Sequence, residues 1–346
     1  RILASDKALF KGHPIAAIAA DSLHEAEELL DLIKVDYEVL PSVTDVESAM
    51  DADAPILHAT IKAASLSGEI VSGSNIASHE QYILGDIEKG FSEADLIVER
   101  EFRTKTVHQG YIEPQNATAS WRSDGHVTIW CSSQGHFGIR DQVATVLDLP
   151  VSKVTIVPME IGGGFGGKLP AYLEPLAALL SEKTGNPVKM FMTRSEVIEA
   201  TGPTSGSYVK VKIGVTDEGI ITAAQGYLAF EAGAFPGSPI GGATACMLSP
   251  YDIKNLTLDG YDVVDNKPKT TAYRAPGAPI GALAVETIMD EIAENLNIDK
   301  IDLRLMNAAK EGSRRADGVV NPKIGMIETA ELVKSHEHYS SDLAQV

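Results

Sequence analysis

The first 60 residues alternate between short apolar runs and one stretch with helical spacing. Residues 14–20 form an apolar run of strand length, and residues 34–40 (Lys-Val-Asp-Tyr-Glu-Val-Leu) return to the pattern of a strand. Between them, Ser22 and Glu25 have the spacing of a capping box at the start of a helix. Apolar residues then recur at three- and four-residue intervals, at Leu23, Ala26, Leu30 and Ile33. The pattern predicts a strand–helix–strand unit whose apolar helix face packs into a core.

Beyond this unit the pattern weakens and then resumes as alternating strands and helices. Residues 52–81 are rich in Ala, Ser, Gly and His, with the weak periodicity that is typical of a connecting segment. A later helix is predicted where Leu173, Leu176 and Leu180 share one face, and Gly185 is its expected C-terminal stop. Strands are predicted at residues 121–131, 154–160, 188–192, 208–215 and 220–230, with turns at 123–125 and 216–219.

These elements indicate an α+β fold in two parts. Residues 1–60 are predicted to form a small α/β unit, and residues 61–84 to be a connecting segment. Residues 85–346 are predicted to form a larger domain of mixed sheets and helices. A length of 346 residues agrees with more than one domain.

Composition and charge exclude several classes of partner. Hydrophobic residues make up 44% of the chain, which is ordinary for a globular protein with a core. The net charge of −19 argues against nucleic acid or an anionic membrane as a partner. Two cysteines, Cys131 and Cys246, are too few for a disulfide scaffold, and neither a signal peptide nor a long apolar span is evident. A cytoplasmic location is therefore expected.

The densest chemical signal is the glycine loop, residues 161–168, which reads Ile-Gly-Gly-Gly-Phe-Gly-Gly-Lys directly after a predicted strand. Glycines let backbone N–H groups approach a bulky ligand and adopt positive φ, at an entropic cost. An ordinary turn between a strand and a helix explains one or two glycines, but not five. The loop therefore predicts a large polar ligand, and N–H groups at a strand-to-helix junction suit an anion.

Two phosphate-binding motifs fit this loop only partly. The P-loop motif requires Ser or Thr after its lysine to hold Mg²⁺, but Leu169 follows Lys168. The dinucleotide motif requires an acidic residue about 20 positions further on, which binds the ribose. Glu182 lies at this distance, but the pattern places it at the exposed end of a helix. A nucleotide-binding protein that uses Gly162 to Lys168 as a phosphate loop stays open as an alternative.

Five further segments, in order and at characteristic separations, resemble one family. They are residues 111–114 (Tyr-Ile-Glu-Pro), 129–136 (Ile-Trp-Cys-Ser-Ser-Gln-Gly-His), 271–279 (Thr-Ala-Tyr-Arg-Ala-Pro-Gly-Ala-Pro), 290–293 and 302–307. Together with the glycine loop they resemble the molybdopterin-binding large subunit of the molybdenum hydroxylases, the xanthine dehydrogenase and aldehyde oxidase family. The resemblance covers nearly the whole chain. It implies that residues 1–60 are the C-terminal part of a small α/β, hammerhead-like domain and that residues 85–346 are a first molybdopterin-binding domain.

The resemblance also implies roles for particular residues. Gln134 matches a glutamine whose amide donates a hydrogen bond to a ligand of molybdenum, the one catalytic contact expected in this chain. Amide and backbone donors suit such acceptors, whereas a carboxylate would repel them. No side chain is expected to bind the metal directly, because the family's pterin dithiolene holds it. The residues implied in cofactor binding are Gln134, Gly163, Gly164, Phe165, Gly166 and Arg274.

Departures from the family limit the substrate. Purine-oxidising members resemble one another in a glutamate after the loop lysine and a phenylalanine two residues after the arginine, where this chain has Leu169 and Pro276. Xanthine is therefore a poor expectation, and an aldehyde or an N-heteroaromatic acid is favoured. A carbon monoxide enzyme is disfavoured because neither cysteine stands in a copper-binding loop. Leu169, Phe235, Tyr273 and Pro276 are expected to line the substrate pocket.

The family's catalytic base, a glutamate, belongs to a second molybdopterin-binding half that lies beyond Val346. The chain is therefore expected to be a fragment, or one half of a split enzyme like the nicotinate dehydrogenases, and to be inactive alone. The resemblance implies molybdenum-molybdopterin, in its cytosine dinucleotide form, with iron–sulfur clusters and FAD on partner subunits. A cofactor-free assembly scaffold is a further, non-enzymatic alternative.

Overall fold

Two larger β-sheets organise the chain, in a computed structural model that describes residues 2–64 and 70–341. The strands are β1 (Lys62–Ala64), β2 (Ile70–Ser72), β3 (Ile76–Leu84), β4 (Leu96–Thr104), β5 (Asn116–Trp121), β6 (Val127–Cys131), β7 (Val154–Pro158), β8 (Val188–Phe191), β9 (Ser207–Val215), β10 (Ile221–Gly233) and β11 (Leu256–Val264). The helices are α1 (Leu23–Leu30), α2 (Val46–Ala49), α3 (Ile87–Ser92), α4 (His136–Leu147), α5 (Glu174–Thr184), α6 (Arg194–Ala200), α7 (Ile240–Cys246), α8 (Ala278–Leu296), α9 (Lys300–Met306), α10 (Met326–Ser335) and α11 (Glu337–Ser340). Within residues 2–64 and 70–341, no helix has the length and apolar character needed to cross a membrane.

The larger sheet has the strand order β3-β11-β10-β9-β4, in which β10 and β11 are parallel and the other pairs are antiparallel. Val209, Val211 and Ile213 alternate along β9 and are all buried, as the two-residue period of a strand predicts. Helix α8 covers this face and buries Ile288 and Ile292 in the same cluster. Removing these apolar side chains from water makes this the main core.

The smaller sheet positions the candidate site. Its strand order is β7-β6-β5-β8, and its β6 and β7 are parallel neighbours joined through α4. Helices α4 and α5 bury Ile139 and Ala177 against strand residues such as Ile129. Because β6 and β7 run in the same direction, both carboxyl ends lie at one edge, with Cys131 opposite Pro158. The segments that follow these strands, including Gln134 and the glycine loop, therefore begin side by side.

Much of the pattern in the larger domain is confirmed. The mixed α+β character is observed, and the strands predicted at 121–131, 188–192, 208–215 and 220–230 correspond to β5 with β6, β8, β9 and β10. The turn at 123–125 joins β5 to β6, and Gly219 N–H donates to Thr216 O in the second predicted turn. Gly185 ends α5 with φ +68°, as predicted from its lack of a Cβ.

The N-terminal prediction is only partly right. Helix α1 forms, and Ser22 caps it by accepting from Glu25 N. The strands predicted at residues 14–20 and 34–40 do not form, because the described residues provide no neighbouring strand with which they pair. The apolar face of α1 was expected in a core, but α1 buries none of its residues and Leu23 is exposed.

The predicted connecting segment, residues 61–84, contains strands in its described part. Strands β1 and β2 pair in an antiparallel ladder, and β3 is an edge strand of the larger sheet, paired with β11. The sequence pattern therefore did not predict the strand from Ile76 to Leu84. Earlier in the chain, Val46 and Leu57 pack against Ala229 and Val263 on the other face of that sheet. The domain boundaries at 60 and 84 stay a prediction.

Candidate cofactor-binding site

The glycine loop leaves β7 and is fastened to a segment that precedes β5. Glu113 Oε2 accepts hydrogen bonds from Gly162 N (2.7 Å) and from Lys168 Nζ (2.5 Å), and Glu113 N–H donates to Gly162 O (3.1 Å). Arg194 supports the same segment by donating to the carbonyl oxygens of Tyr111 and of the residue after it. One carboxylate thus holds both ends of the loop.

Lys168 is buried in an ion pair with Glu113. Its side chain is only 2% exposed, and its ammonium lies 5.1 Å from the centre of the Tyr111 ring. Burial raises the pKa of the Glu113 carboxyl, but Lys168 and the Gly162 N–H outweigh it, so that this pKa lies below its usual value. A lysine held in this way does not reach a phosphate, and the alternative that Gly162 to Lys168 bind a nucleotide finds no support.

Gln134 follows β6 and fixes the middle of the loop. Its Oε1 accepts from Gly166 N (2.8 Å) and from Lys168 N (3.2 Å), and its backbone N–H donates to Lys168 O (3.0 Å). Gly164 packs directly on it, because a Cβ built at Gly164 would lie 2.5 Å from Oε1. With Oε1 engaged, the Gln134 Nε2 group donates to none of the residues that the structure describes.

Backbone strain is concentrated where the loop meets the segment around Arg274. Phe165 has φ +51° and Ala275 has φ +61°, a region that bulky or β-carbon-bearing residues rarely occupy. The two strained segments are joined by the hydrogen bond from Arg274 N to Phe165 O (3.0 Å). In the described part of the chain, the other non-glycine residues with positive φ, Asp148 and Asn297, are helix C-caps. The strain near Arg274 therefore has no capping role and marks a functional candidate.

Three successive backbone donors of the loop have no acceptor among residues 2–64 and 70–341. They are the N–H groups of Gly163, Gly164 and Phe165, and Gly164 is buried. Buried backbone N–H groups are rarely left without a partner. Together with Gln134 Nε2 they form a set of donors suited to a ligand rich in acceptor atoms.

Comparison with known proteins identifies the ligand class. A family model described as the molybdopterin cofactor-binding domain matches residues 70–308. The chain belongs to this molybdopterin-binding family. It is 32% identical over 336 residues to the nicotinate dehydrogenase large molybdopterin subunit of Eubacterium barkeri, covering 96% of this chain and 76% of that subunit.

More distant members of the molybdopterin-binding family are similar over a smaller share of their own length. The xanthine dehydrogenase of Dictyostelium discoideum is 27% identical over 346 residues, which cover 97% of this chain and 24% of that protein. The crystal structure of the aldehyde oxidoreductase from Desulfovibrio desulfuricans superposes with a TM-score of 0.87 at 24% identity, over 96% of this chain and 36% of that one. The latter shows a shared fold.

The structure brings together the residues expected to contact the molybdopterin cofactor. Gln134, Gly164 and Gly166 are in direct contact, and Phe165 is hydrogen-bonded to the backbone of Arg274. Gly163 has φ +93° and packs on the Tyr111 side chain. Within the described residues, no group of three or more His, Cys, Asp or Glu side chains is arranged to hold a metal ion. Their roles toward the cofactor stay a prediction.

Of the four residues expected to line the substrate pocket, one lines a cavity and three are exposed, and their role stays a prediction. Leu169, Tyr273 and Pro276 are exposed, at the end of the loop and beside Arg274. Phe235 instead lines a separate cavity, whose lining includes Pro170 but none of those three residues.

The Glu113–Lys168 pair is the feature that sequence analysis missed. Both residues lie in recognisable motifs, but they are 55 positions apart and no local pattern links them. The available signal was a lysine among glycines and apolar residues, where an unpaired charge is too costly to bury. Gln109 was likewise missed, although its Nε2 donates to Ala272 O (2.9 Å) behind the loop.

Proposed function

We propose that this chain is the molybdopterin-binding part of an oxidoreductase that hydroxylates an aldehyde or an N-heteroaromatic compound with oxygen from water. The observation that carries the proposal is the orientation of Gln134. Its Oε1 is held by two loop N–H groups, so its Nε2 group and the N–H groups of Gly163 to Phe165 are left as donors. This donor set fits a molybdenum centre with oxygen and sulfur ligands on a pterin.

The chain's own residues would orient the cofactor and leave room for it. Gln134 Nε2 would donate to an acceptor ligand, and the loop N–H groups would meet others without any need for reorganisation. Gly164 and Gly166 keep the loop thin, because a Cβ at either would meet Gln134 or Ala272 at 2.5 Å or less. When bound, molybdenum-molybdopterin accepts the two electrons of an oxidative hydroxylation. We assign the proton-accepting base of that reaction to none of the residues that the structure describes.

Exposed apolar residues around the loop support a partner that covers it. Ile112 is 87% exposed and Phe137 77% exposed, and Ile161, Phe165 and Leu169 are also exposed. Large apolar side chains exposed on neighbouring segments are typical of an interface. We infer that a second molybdopterin-binding half, with the catalytic glutamate, docks here, and that iron–sulfur and FAD subunits carry the electrons onward. The cytosine dinucleotide form of the cofactor and a cytoplasmic location are parts of the same proposal.

The chemistry around the loop supports a non-purine substrate. Leu169 and Pro276 present no charged or aromatic group with which to hold a purine. The nicotinate dehydrogenase relative supports an N-heteroaromatic acid as one candidate. In the assembled enzyme, Leu169→Glu with Pro276→Phe should raise kcat/KM for hypoxanthine relative to a pyridine carboxylate. Strong activity of the unaltered enzyme on hypoxanthine would contradict this part of the proposal.

The central test is Gln134→Ala in the enzyme assembled with its partner subunits. Loss of a preorganised donor costs roughly 2.7 to 4 kcal/mol of transition-state stabilisation, so kcat should fall about a hundredfold or more. The matched control is Gln225→Ala, at an exposed position of β10 away from the loop, which should leave kcat unchanged. Molybdenum and extracted pterin are measured in all three proteins. An unchanged kcat together with a large loss of thermal stability would show that Gln134 is only structural.

A further inference from the structure

A cavity of about 480 Å³ lies between the segment after the glycine loop and the chain that follows β10. Its walls are mostly apolar or aromatic, and they include Phe10, Pro14, Pro170, Tyr172, Leu176 and Phe235. Cavities of this size, with apolar walls and a few convergent polar groups, are typical of small-molecule sites. The candidate cofactor-binding residues Gln134, Gly164 and Arg274 do not line it.

Lys269 provides the positive charge of this cavity. Its Nζ donates to Gly237 O (2.7 Å) and to Thr270 O (2.9 Å). A lysine ammonium has three donors, so one is left without an acceptor among the residues that the structure describes. Ion pairs with described carboxylates hold many other lysines of the chain, but not Lys269.

The other polar side chains of the cavity wall already have partners. Gln142 uses both of its amide atoms on backbone groups, and the Tyr172 hydroxyl accepts from Gly202 N (2.9 Å). Asp141 forms an ion pair with Arg140 (3.0 Å). The donors left for a ligand among the described residues of the wall include the Tyr172 O–H and the remaining N–H of Lys269, and of these only Lys269 carries a positive charge.

We propose that this cavity binds a small organic carboxylate with a compact apolar or aromatic body. The carboxylate would accept from Lys269 Nζ, and the body would lie against Phe235 and Phe10. A charge-assisted hydrogen bond to a partly desolvated ammonium is among the stronger polar contacts that a cavity can offer. The inference concerns binding by the chain itself and does not depend on the proposed redox function.

Burial supports a ligand that restores a negative charge at this place. It lowers the pKa of Lys269 to about 8, partly offset by Asp262. Asp262 faces Lys269 from β11, but its two oxygens accept from Gly237 N and Ser238 N. The other titratable groups of the wall are Asp141, Tyr172 and His13. A carboxylate ligand would favour the charged form of Lys269 and bind best while it is protonated.

The test is calorimetric titration of the full chain with benzoate and with benzamide, its neutral counterpart of the same shape. Benzoate should bind saturably and benzamide more weakly. Lys269→Met should weaken benzoate binding about tenfold to a hundredfold, the usual worth of a hydrogen bond to a charged group, and leave benzamide unchanged. Lys254→Met, at an exposed position on another loop, is the matched control and should bind benzoate like the unaltered chain.

A second measurement keeps the proposal testable if Lys269→Met does not fold. Benzoate binding to the unaltered chain should be about tenfold weaker at pH 9 than at pH 7, because a group of pKa about 8 loses most of its charge over this range. The proposal is overturned by absence of saturable benzoate binding, by equal affinities for benzoate and benzamide, or by a folded Lys269→Met chain with undiminished affinity.

Discussion

Glu113→Gln should lower the free energy of unfolding of the region around the smaller sheet by more than a conservative substitution on the surface would. The substitution keeps the shape of the side chain but removes the negative charge beside Lys168, whose ammonium is 2.5 Å away on a side chain that is only 2% exposed. Lys168 would then be a buried charge without a counter-ion. Breaking a buried ion pair in this way costs about 3 to 5 kcal/mol.

The two single substitutions are expected to differ. Lys168→Met removes the buried charge itself, and the Glu113 carboxylate left behind is 27% exposed and still accepts from Gly162 N and Asn116 Nδ2. Lys168→Met should therefore cost less than Glu113→Gln. In the double variant no charge is left unpaired, so its cost should be smaller than the sum of the two single costs, with a coupling of about 1 to 3 kcal/mol.

Urea unfolding followed by tryptophan fluorescence suits this test. Both tryptophans, Trp121 and Trp130, lie on strands of the smaller sheet, so the signal reports the region that Glu113 supports. With an unfolding entropy of about 2.1 cal/mol/K per residue, a loss of 3 to 5 kcal/mol in a chain of 346 residues corresponds to a decrease in Tm of about 4 to 7 °C. Glu93→Gln, which removes half of the exposed Lys89–Glu93 pair, is the matched control and should change the unfolding free energy by less than about 0.5 kcal/mol.

The pH dependence gives an independent check. The pKa of the Glu113 carboxyl is held below its usual value in the folded chain, so its contribution is complete above about pH 4.5 and is lost as the pH falls further. The stability difference between the unaltered chain and Glu113→Gln should therefore narrow below pH 4. A Glu113→Gln chain within about 0.5 kcal/mol of the unaltered one at pH 7, or strictly additive single costs, would refute the reasoning.

Three further outcomes are expected from unfolding measurements. Gly166→Ala should cost about 1 to 3 kcal/mol more than Gly125→Ala, because both have positive φ but only at Gly166 would the Cβ meet backbone, at 2.3 Å from Ala272 O; equal costs would exclude that clash. Ala275→Gly should stabilise the chain by roughly 0.5 to 1 kcal/mol by relieving φ +61° at an exposed residue, and a loss of stability would show that the Ala275 methyl packs productively. Burial raises the pKa of Asp265 to about 7, so the free energy of unfolding should fall as the pH rises from about 4 to 7. Asp265→Asn should remove this pH dependence and add up to about 4 kcal/mol of stability at pH 8. Identical pH profiles of stability for the two chains would contradict this.

Local signals in the sequence predicted the local features of the fold. Gly185 and the turns at 123–125 and 216–219 were predictable because their conformations depend on a few adjacent residues. Strand β3 was missed because its residues, Ile76–Leu84, include Ser, His, Glu and Gln, and its extended form depends on pairing with β11 far along the chain. The exposure of the apolar face of α1 could not be predicted either, because hydrophobic periodicity identifies an apolar face but not the residues that cover it.

The candidate site shows the same division. The glycine loop and Gln134 were predictable because five clustered glycines and a matching family motif are visible in the sequence alone. The orientation of the Gln134 side-chain amide was not predictable, because it depends on two loop N–H groups that are 32 and 34 residues away. The sequence also did not predict that Phe235 lines the cavity of about 480 Å³ without Leu169 or Tyr273, because chain order does not determine which loops share a cavity.

Stability and function depend here on one connected set of contacts. Glu113 fastens the loop at Gly162 and Lys168, and the loop then presents the Gly166 and Lys168 N–H groups to Gln134 Oε1. Only because Oε1 is engaged does Nε2 remain available to a ligand. A change at Glu113 should therefore lower both stability and cofactor retention. Gln134→Ala also leaves the Gly166 and Lys168 N–H groups without their acceptor, but it should cost less stability than Glu113→Gln for the same loss of cofactor. If Gln134→Ala and Glu113→Gln caused the same loss of stability for the same loss of cofactor, the contacts would form a single structural unit, and the separate role proposed for Gln134 would be wrong.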